Sequence, residues 1–502
     1  MILHRNSNPR STLSLCAVAL VLASVAAAPS AAALEATLQI LDGQTKEPLT
    51  AWCELFDPSG KHLFPVDDKI RGEHEPPFFY VWDTFKVEVK TDVVYTLKIR
   101  KGLGWFPFEE KFEFREGHDH VIVSMNAWYR PIDRAWIAGD LEGRWSFSDP
   151  SLPMAAWDLF AAFRIVDATA AMADYERLSA GVVHLPGGRG YSGRDWGFGD
   201  FNVIRTAKEP PVHETEFRQT GLDEMFVAKN LGGLVDVVNS ESRDMPVAAA
   251  HDLIASIRVL GPDGPSDDKT WEMDRILARL ERYYDFLNCG FHIPISAGSA
   301  ATGNGESEWD YLGANRLYCR VPPTITIGHY LNIYLKGRSW ATNGPVISLI
   351  AEKNKDLGHQ FELLGPNKEI DFTVGAKSPR PIDRLELIYN GEVARTFPGS
   401  ATSDHILEAV KLPIPKGGWV AARVFEARES EGDPVRFAHT SPIYVNVQGT
   451  DPFDRETVQA FATQVTEDYN RFEKDETLTE REKSLFLEWY GFARDFYLEK
   501  LK

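Results

Sequence analysis

The spacing of apolar residues along the chain is the feature that most limits its possible folds. In two regions, 34–130 and 346–448, apolar and polar residues alternate over short runs that are separated by Gly, Pro, Asp and Asn. A period of two is typical of half-buried β-strands, and several such runs in succession indicate a β-sandwich. The sequence therefore predicts one β-sandwich near each end of the chain.

Turn signals support both predictions. The segment 41–61 has the pattern of the first hairpin of a small immunoglobulin-like or transthyretin-like sandwich. In the second region, Asn390-Gly391 lies between two alternating runs, and this pair favours a tight hairpin turn.

The region between the two sandwiches, 133–345, alternates strand-like and helix-like segments. Residues 136–141, 182–186, 201–204 and 251–261 are strand-like. This alternation predicts an α/β domain with a mainly parallel sheet. Residues 267–290 predict a long amphipathic helix, and the alanine-rich segment 154–178 also has apolar residues at helical spacing. The apolar stripe of the long helix consists of Trp271, Ile276, Leu277, Leu280 and Tyr284.

The last segment, 452–502, is charged and has helical periodicity in two parts. Thr477 followed by Glu480 matches a capping box, which predicts the start of the second helix. A helical hairpin packed on the body of the protein is favoured over a free helix that binds a partner.

The first 33 residues have the three parts of a secretory signal. Arg5 and Arg10 precede an uncharged apolar run at 13–28, and Ala31-Ala32-Ala33 offers a cleavage site. A retained transmembrane anchor is the alternative, but the run is shorter than the ~20 residues that a span needs. We therefore expect export to the periplasm or the extracellular space, with no transmembrane segment after cleavage.

Composition limits the partners. The formal net charge is −19, which disfavours nucleic acid and anionic lipid as ligands. The three cysteines beyond the signal, Cys53, Cys289 and Cys319, allow at most one internal disulfide, so a hydrophobic core must hold the fold.

Several segments of the chain, in order, resemble the PHP-like metallohydrolases of the CehA/McbA type in their exported multidomain form. The resemblance implies that 133–345 is a distorted (β/α) barrel with its chemistry at the carboxyl ends of the strands. The most specific parts are 283–300 and 337–345. The matching segments are 85–108, 136–141, 231–239, 283–300, 312–321, 335–349, 380–393 and 437–447.

The metal-binding motifs of that family are altered in this chain. The family sequence G-D-L-H-x-H reads here Gly139-Asp140-Leu141-Glu142-Gly143-Arg144, so Glu142 and Arg144 stand at the two histidine positions. Arginine stays protonated and cannot ligate a metal, so we expect Arg144 to form a salt bridge with Glu142 or Asp140. Ala300 replaces the family's last ligand, an aspartate, and no Thr-Asp-His element follows the first helix.

Other residues are candidates for ligand binding by residue type and position. The glycine-rich segment 187–200 carries four of them, and a surface loop without a ligand is the alternative for that segment. For His184 a structural role is favoured over a ligand role, and for His251 a solvent-exposed position is the alternative. The candidates are Arg144, His184, Arg189, Tyr191, Arg194, Trp196, Asn239, His251 and Ser299.

Two functions follow from these observations. The first is an exported, non-catalytic binding or scaffold protein with a degenerate metal site and no cofactor, whose ligand is a small molecule, a carbohydrate or a peptide. The second is a divergent hydrolase of esters, amides or phosphoesters. In that case Asp140 and Glu142 would act as metal ligand or general base with Zn, Mn or Fe.

Overall fold

The computed structural model describes twelve stretches of the chain. They are residues 33–66, 78–145, 149–167, 177–179, 182–191, 200–204, 221–262, 272–302, 311–321, 325–400, 402 and 404–502. The predicted signal lies outside these residues except for Ala33. For 177–179 and 182–191 the description covers the backbone.

The first region forms two small sheets packed face to face. Its strands are β1 (Ala33–Asp42), β2 (Ala51–Phe56), β3 (His62–Leu63), β4 (Phe79–Val81), β5 (Thr84–Lys90), β6 (Val94–Arg100), β7 (Phe108–Glu113) and β8 (His120–Met125). One sheet has the order β5-β1-β8, and the other has the order β3-β2-β6-β7 with β4 also paired to β2. The inward residues of both sheets share one apolar core, so this region is sandwich-like as predicted.

The middle region alternates strands and helices after a short 3₁₀ turn at Pro131–Arg134. Its elements are β9 (Trp136–Gly143), α1 (Ser151–Ala156), β10 (Leu159–Asp167), β11 (Arg177–Ser179), β12 (Val182–Tyr191), β13 (Phe201–Ile204), α2 (Gly221–Asn230), β14 (Leu234–Val237), α3 (Met245–Ala250), β15 (Ser256–Leu260), α4 (Met273–Asn288), β16 (Ile295–Ala297), β17 (Arg316–Arg320), α5 (Ile327–Leu335) and β18 (Ser339–Thr342).

The strands from β9 to β16 belong to one mainly parallel sheet. Strands β9, β10 and β12 are parallel neighbours, as are β14, β15 and β16, while β13 is antiparallel between the two groups. Beyond β16 the chain meets β9 again, because the Ala300 amide donates to the Glu142 carbonyl and the Arg144 amide donates to the Ala301 carbonyl. The two ends of this group of strands are thus in contact.

The helix expected at 154–178 is wrong for 157–167, and residues 168–176 of that prediction lie outside the described part of the chain. Helix α1 ends at Ala156, Asp158 has a positive φ of 54°, and strand β10 begins at Leu159. Most side chains from Leu159 to Ile165 are buried, on both faces of the strand. A strand covered on both faces has a continuous apolar run, which periodicity alone does not distinguish from a helix.

The second β-rich region continues the large sheet and adds a smaller one. Its strands are β19 (Val346–Ala351), β20 (Gln360–Leu363), β21 (Lys368–Lys377), β22 (Ile382–Tyr389), β23 (Glu392–Pro398), β24 (His405–Ile414), β25 (Gly418–Glu426), β26 (Phe437–Thr440) and β27 (Ile443–Val447). Sheet β19-β21-β24 packs on the sheet that contains β22 and β25, and Asn390 and Gly391 form the predicted hairpin with positive φ at both residues.

The hydrogen-bonded ladder also crosses between the middle and second β-rich regions. Strand β17 pairs with β9 and β18, and β18 pairs with β26. The middle sheet is therefore continuous with one layer of the second sandwich.

Helices α6 (Arg455–Lys474) and α7 (Glu480–Lys500) form the predicted C-terminal helical pair. The capping box, however, is formed by Thr479 and Glu482, not by Thr477 and Glu480. Both pairs fit the motif, but the Thr479 hydroxyl oxygen accepts from the Glu482 amide, whereas the Thr477 hydroxyl is used in the preceding turn, where it donates to Asp475. Among the described residues, no helix is both long and apolar enough to cross a membrane.

Candidate functional site

A cluster of charged side chains lies at the carboxyl edge of the parallel strands. It includes Asp140 and Glu142 from the end of β9, Asp236 from β14 and Arg258 from β15. On β14, the alternate residues Val235 and Val237 face the apolar core formed with the helices. The pleat of the sheet therefore directs the polar residues to the opposite face.

Asp140 ties three chain segments together. Its carboxylate accepts hydrogen bonds from the amides of Glu142 and Ser299, each at 3.0 Å, and from the amide of Gly313 at 2.7 Å. Burial raises the pKa of Asp140 to about 6, against these hydrogen bonds, which lower it. Both carboxylate oxygens are thus used to hold the backbone on either side of the 300–312 segment.

Glu142 forms the expected salt bridge with Arg144. The Arg144 Nε atom lies 2.7 Å from Glu142 Oε1, which confirms one of the two pairings predicted for this arginine. Glu142 is almost fully buried, whereas the Arg144 side chain is 26% exposed. This pair therefore lies at the mouth of the cluster.

The other oxygen of Glu142 faces the interior. Arg258 Nη1 donates to Glu142 Oε2, and the Asn202 side-chain amide donates to the same oxygen at 3.1 Å. Burial acts to raise the pKa of Glu142, but Arg258 and then Arg144 outweigh it and lower the pKa below its usual value. Glu142 is therefore held as a carboxylate.

Arg258 joins two strands through two carboxylates. It is completely buried, and its Nη2 atom donates to Asp236 Oδ2 at 2.8 Å while Nη1 binds Glu142. The second oxygen of Asp236 accepts from the Ser256 hydroxyl at 2.7 Å. Burial opposes the charge of Arg258, but Glu142 and Asp236 raise its pKa further above the usual value.

Two glycines allow this arginine to fit. A Cβ atom on Gly298 would lie 2.8 Å from Glu142 Cβ and 3.2 Å from Arg258 Cζ. Gly261 has a φ of 138°, and a Cβ there would lie 2.2 Å from the Gly298 carbonyl oxygen. The backbone thus packs directly against the guanidinium.

Sequence reasoning missed Asn202, Asp236 and Arg258. Each is a polar residue within a short, mainly apolar strand: Phe-Asn-Val-Ile, Leu-Val-Asp-Val and Ser-Ile-Arg-Val-Leu. A charged residue in such a strand is buried only when it is paired, so the pattern is a usable signal for an internal polar cluster.

The candidates named from sequence divide into separate groups. Ser299 joins the cluster, and its hydroxyl also bonds the backbone of Asn315 at 3.0 and 3.2 Å. Asn239 caps a local turn by accepting from the Glu241 amide. His251 lies elsewhere, where its Nε2 atom is 3.0 Å from the Trp489 carbonyl oxygen and its ring packs on Trp489.

The glycine-rich segment is described only in part. On the backbone of β12, His184 is in register with Ala162 of β10, Arg189 with Val203 of β13, and Tyr191 with Phe201. Arg194 and Trp196 lie outside the described residues.

Among the residues that the structure describes, the charged cluster does not fit a catalytic metal. Within the described stretches, no group of three or more His, Cys, Asp and Glu side chains is placed to hold a metal ion. Cationic side chains bind the carboxylates of Glu142 and Asp236, where a metal would need free oxygens. The three described cysteines are buried free thiols, and burial raises the pKa of each, so none is set up as a nucleophile.

Comparison with known proteins adds no neighbour to these observations. No family model, curated protein or solved structure matches the chain.

Proposed function

We propose that this chain is an exported, non-catalytic binding or scaffold protein built on a PHP-like fold whose metal site has been replaced by a salt-bridge cluster. The observation that carries the proposal is Arg258, a fully buried guanidinium bound to Glu142 and Asp236. Its expected ligand, at the edge around Arg144, is a small molecule, a carbohydrate or a peptide.

The charges in the cluster support this proposal. Arg144 and Arg258 supply two positive charges to the two carboxylates of Glu142 and Asp236. A divalent metal would bring the same charge, so the arginines neutralise this pair of carboxylates without one. Each arginine is covalently part of the chain, whereas a metal ion would have to bind from solution.

Displacing Arg258 would be costly. A metal bound to Glu142 from inside the cluster would have to compete with Arg258 and Asn202 for Oε2. The displaced guanidinium would then be buried with one carboxylate partner fewer, and an incompletely compensated buried charge costs several kcal/mol.

The strand arrangement is compatible with the barrel implied by the resemblance. Six parallel strands with β13 among them, together with the bridge between Gly143 and Ala301, bring the two ends of the group together. A distorted barrel, its family membership and its export from the cell are parts of the same proposal.

A divergent hydrolase is the competing function, and one observation favours it. The pKa of Asp140 is raised to about 6, which suits a general acid or base near neutral pH. However, both oxygens of Asp140 accept hydrogen bonds from backbone amides, so proton transfer at this carboxyl group would require breaking the contacts that hold Ser299 and Gly313.

Metal analysis of the mature protein tests the two functions against each other. We expect less than about 0.1 equivalent of Zn, Mn or Fe per chain after incubation with each metal and desalting, because the arginines occupy the carboxylates. The matched variant is Arg144→His, which restores one histidine of the family motif while Arg258 remains. Stoichiometric metal in the unaltered protein would overturn the proposal.

An activity panel gives a second, independent readout. The unaltered protein and the Asp140→Asn variant would be assayed on p-nitrophenyl esters, an anilide and bis-p-nitrophenyl phosphate. We expect the same background rate from both proteins. Turnover by the unaltered protein that is lost in Asp140→Asn, with an unchanged circular dichroism spectrum, would establish the hydrolase instead.

A further inference from the structure

The sheet β3-β2-β6-β7 of the first sandwich has a groove on its outer face. This groove is separate from the charged cluster of Asp140, Glu142, Asp236 and Arg258. The groove has a volume of about 480 Å³ and runs over β6, between the turn after β2 and strand β7. This volume lies within the ~300–1,000 Å³ range of small-ligand sites. Its lining residues are Phe56, Asp57, Pro58, Gly60, Val94, Thr96, Lys98, Glu109 and Lys111.

The pleat of the sheet creates the floor of the groove. Tyr95, Leu97 and Ile99 of β6 point into the sandwich core, so Val94, Thr96 and Lys98 point outward. Val94 is 46% exposed and is the apolar member of these three outward side chains. The opposite end of the same face is closed, because Trp52 of β2 packs against Phe78 and Trp157.

Phe56 gives the groove an aromatic wall. It is in register with Thr96 on β6 and is partly exposed. The His62 ring packs against it at 4.4 Å between centroids, and the Lys98 ammonium lies 5.4 Å from the ring centroid. These contacts hold the ring at the edge of the groove.

The turn that forms one wall is fixed by its own hydrogen bonds. Asp57 Oδ1 accepts from the Ser59 amide at 2.8 Å, the Ser59 hydroxyl at 2.6 Å and the Lys61 amide at 3.0 Å. A wall that is ordered before binding lowers the entropic cost of binding a ligand.

The charges around the groove balance. Asp57 and Glu109 oppose Lys98 and Lys111, and Lys98 lies 3.9 Å from Glu109, so both heads keep capacity for further hydrogen bonds. A balanced rim selects neither an anion nor a cation. It offers donors and acceptors beside the exposed Val94 side chain and the Phe56 ring, which is the combination that a neutral sugar chain requires.

An extended peptide fits less well. Both edges of β6 are already paired, with β2 on one side and β7 on the other. The floor therefore has no free backbone groups with which a peptide strand could pair, and recognition there must use side chains.

We propose that this groove binds a neutral oligosaccharide, with a sugar ring on Phe56 and Val94 and its hydroxyl groups on Thr96, Glu109 and Lys111. The proposal does not depend on the function assigned to the edge cluster. It places a second ligand site in the first sandwich of an exported protein.

Calorimetric titration of the mature full-length protein tests this site with named probes. The probes are maltohexaose, cellohexaose, xylohexaose and chitohexaose, with polygalacturonate as the charged comparison and a proline-rich decapeptide as the peptide comparison. We expect at least one neutral sugar to bind. The Phe56→Ala variant should weaken that binding about tenfold, the loss typical of one aromatic contact.

Two further variants make the result specific to the groove. Thr96→Arg fills the floor from an outward-facing position and should abolish binding without a change in melting temperature. Phe106→Ala removes another exposed aromatic side chain of the same sandwich, 45% exposed and outside the groove, and should leave binding unchanged. Absence of binding by all four neutral sugars at 10 mM, or equal binding by Phe56→Ala, would overturn the proposal, as would tighter binding of polygalacturonate or the peptide.

Discussion

Arg258 and Glu142, 116 positions apart in the sequence, form an ion pair in which both side chains are buried. The pair connects β15 to β9, the strand that carries Asp140 and Glu142. Together with Arg144 and Asn202, Arg258 gives both carboxylate oxygens of Glu142 a hydrogen-bond donor. It also makes the cluster a source of stability that can be measured.

Replacement of Arg258 by Met should lower the free energy of unfolding by ~3–5 kcal/mol, because Glu142 and Asp236 would lose their internal countercharge. Urea denaturation followed by tryptophan fluorescence measures the change. Adding Glu142→Gln and Asp236→Asn to the same variant should recover part of the loss. A decrease below about 1 kcal/mol in the single variant would contradict the role assigned to Arg258.

Replacement of Arg144 by Ala should cost less, about 1–2 kcal/mol, because Arg144 is partly exposed and Arg258 still compensates Glu142. The same denaturation experiment applies. A loss as large as that of Arg258→Met would mean that the mouth of the cluster, not its interior, dominates its energetics.

Asp140 should make stability fall as the pH rises from about 4 to about 6. Its folded-state pKa is raised from 3.8 to about 6, so the unfolded chain loses this proton first and the native state binds more protons in that window. The resulting loss in the free energy of unfolding amounts to roughly 3 kcal/mol and is constant above pH ~7. Glu142, whose pKa is lowered, acts in the opposite direction and only as the pH falls below its unfolded value.

Comparison with Asp140→Asn isolates this term. The free energy of unfolding of the unaltered protein, minus that of the variant, should decrease between pH 4 and 6 and then stay level. A carbon-13 titration of the Asp140 carboxyl group provides a direct check, and a midpoint near 4 would refute the assignment.

Lys500 should contribute to the docking of the C-terminal helix. Its ammonium donates to the Cys289 carbonyl at the end of α4 at 3.0 Å and lies 5.0–5.7 Å from the rings of Phe291, Phe453 and Phe496. Lys500→Ala should therefore lower the free energy of unfolding by about 1–2 kcal/mol. Lys502→Ala, which removes an exposed lysine two residues away, is the matched control and should change stability by less than ~0.5 kcal/mol.

The start of α7 offers a test of local structure. Thr479→Ala removes the side chain that caps the helix and should cost about 1 kcal/mol. Thr477→Ala, in the preceding turn, should cost clearly less. A reversed order of the two losses, measured by thermal unfolding, would place the helix start where the sequence motif alone put it.

Local patterns predicted most of the elements. The alternation of apolar residues located the strands of both sandwich-like regions, and the stripe through Ile276, Leu280 and Tyr284 located α4. The same reasoning failed at β10, where a strand buried on both faces has no alternation. It also chose the wrong one of two overlapping capping motifs.

Only part of the candidate site could be predicted from the sequence. Glu142 and Arg144 are two residues apart on one strand, so their residue types and spacing were enough to predict their salt bridge. Arg258, Asp236 and Asn202 lie on other strands, and their meeting depends on the order of those strands in the sheet. Likewise, the pairing of β18 with β26 joins two regions that the sequence separates at 345.

The sequence by itself determined, for most elements, whether a segment is a strand or a helix and which of its faces is buried, and it determined that Arg144 cannot ligate a metal. These properties depend on spacing over a few residues and on the chemistry of single side chains. The tertiary structure alone decided that Arg258 lies between Glu142 and Asp236, because that contact is set by strand order and by the close packing that Gly261 and Gly298 permit.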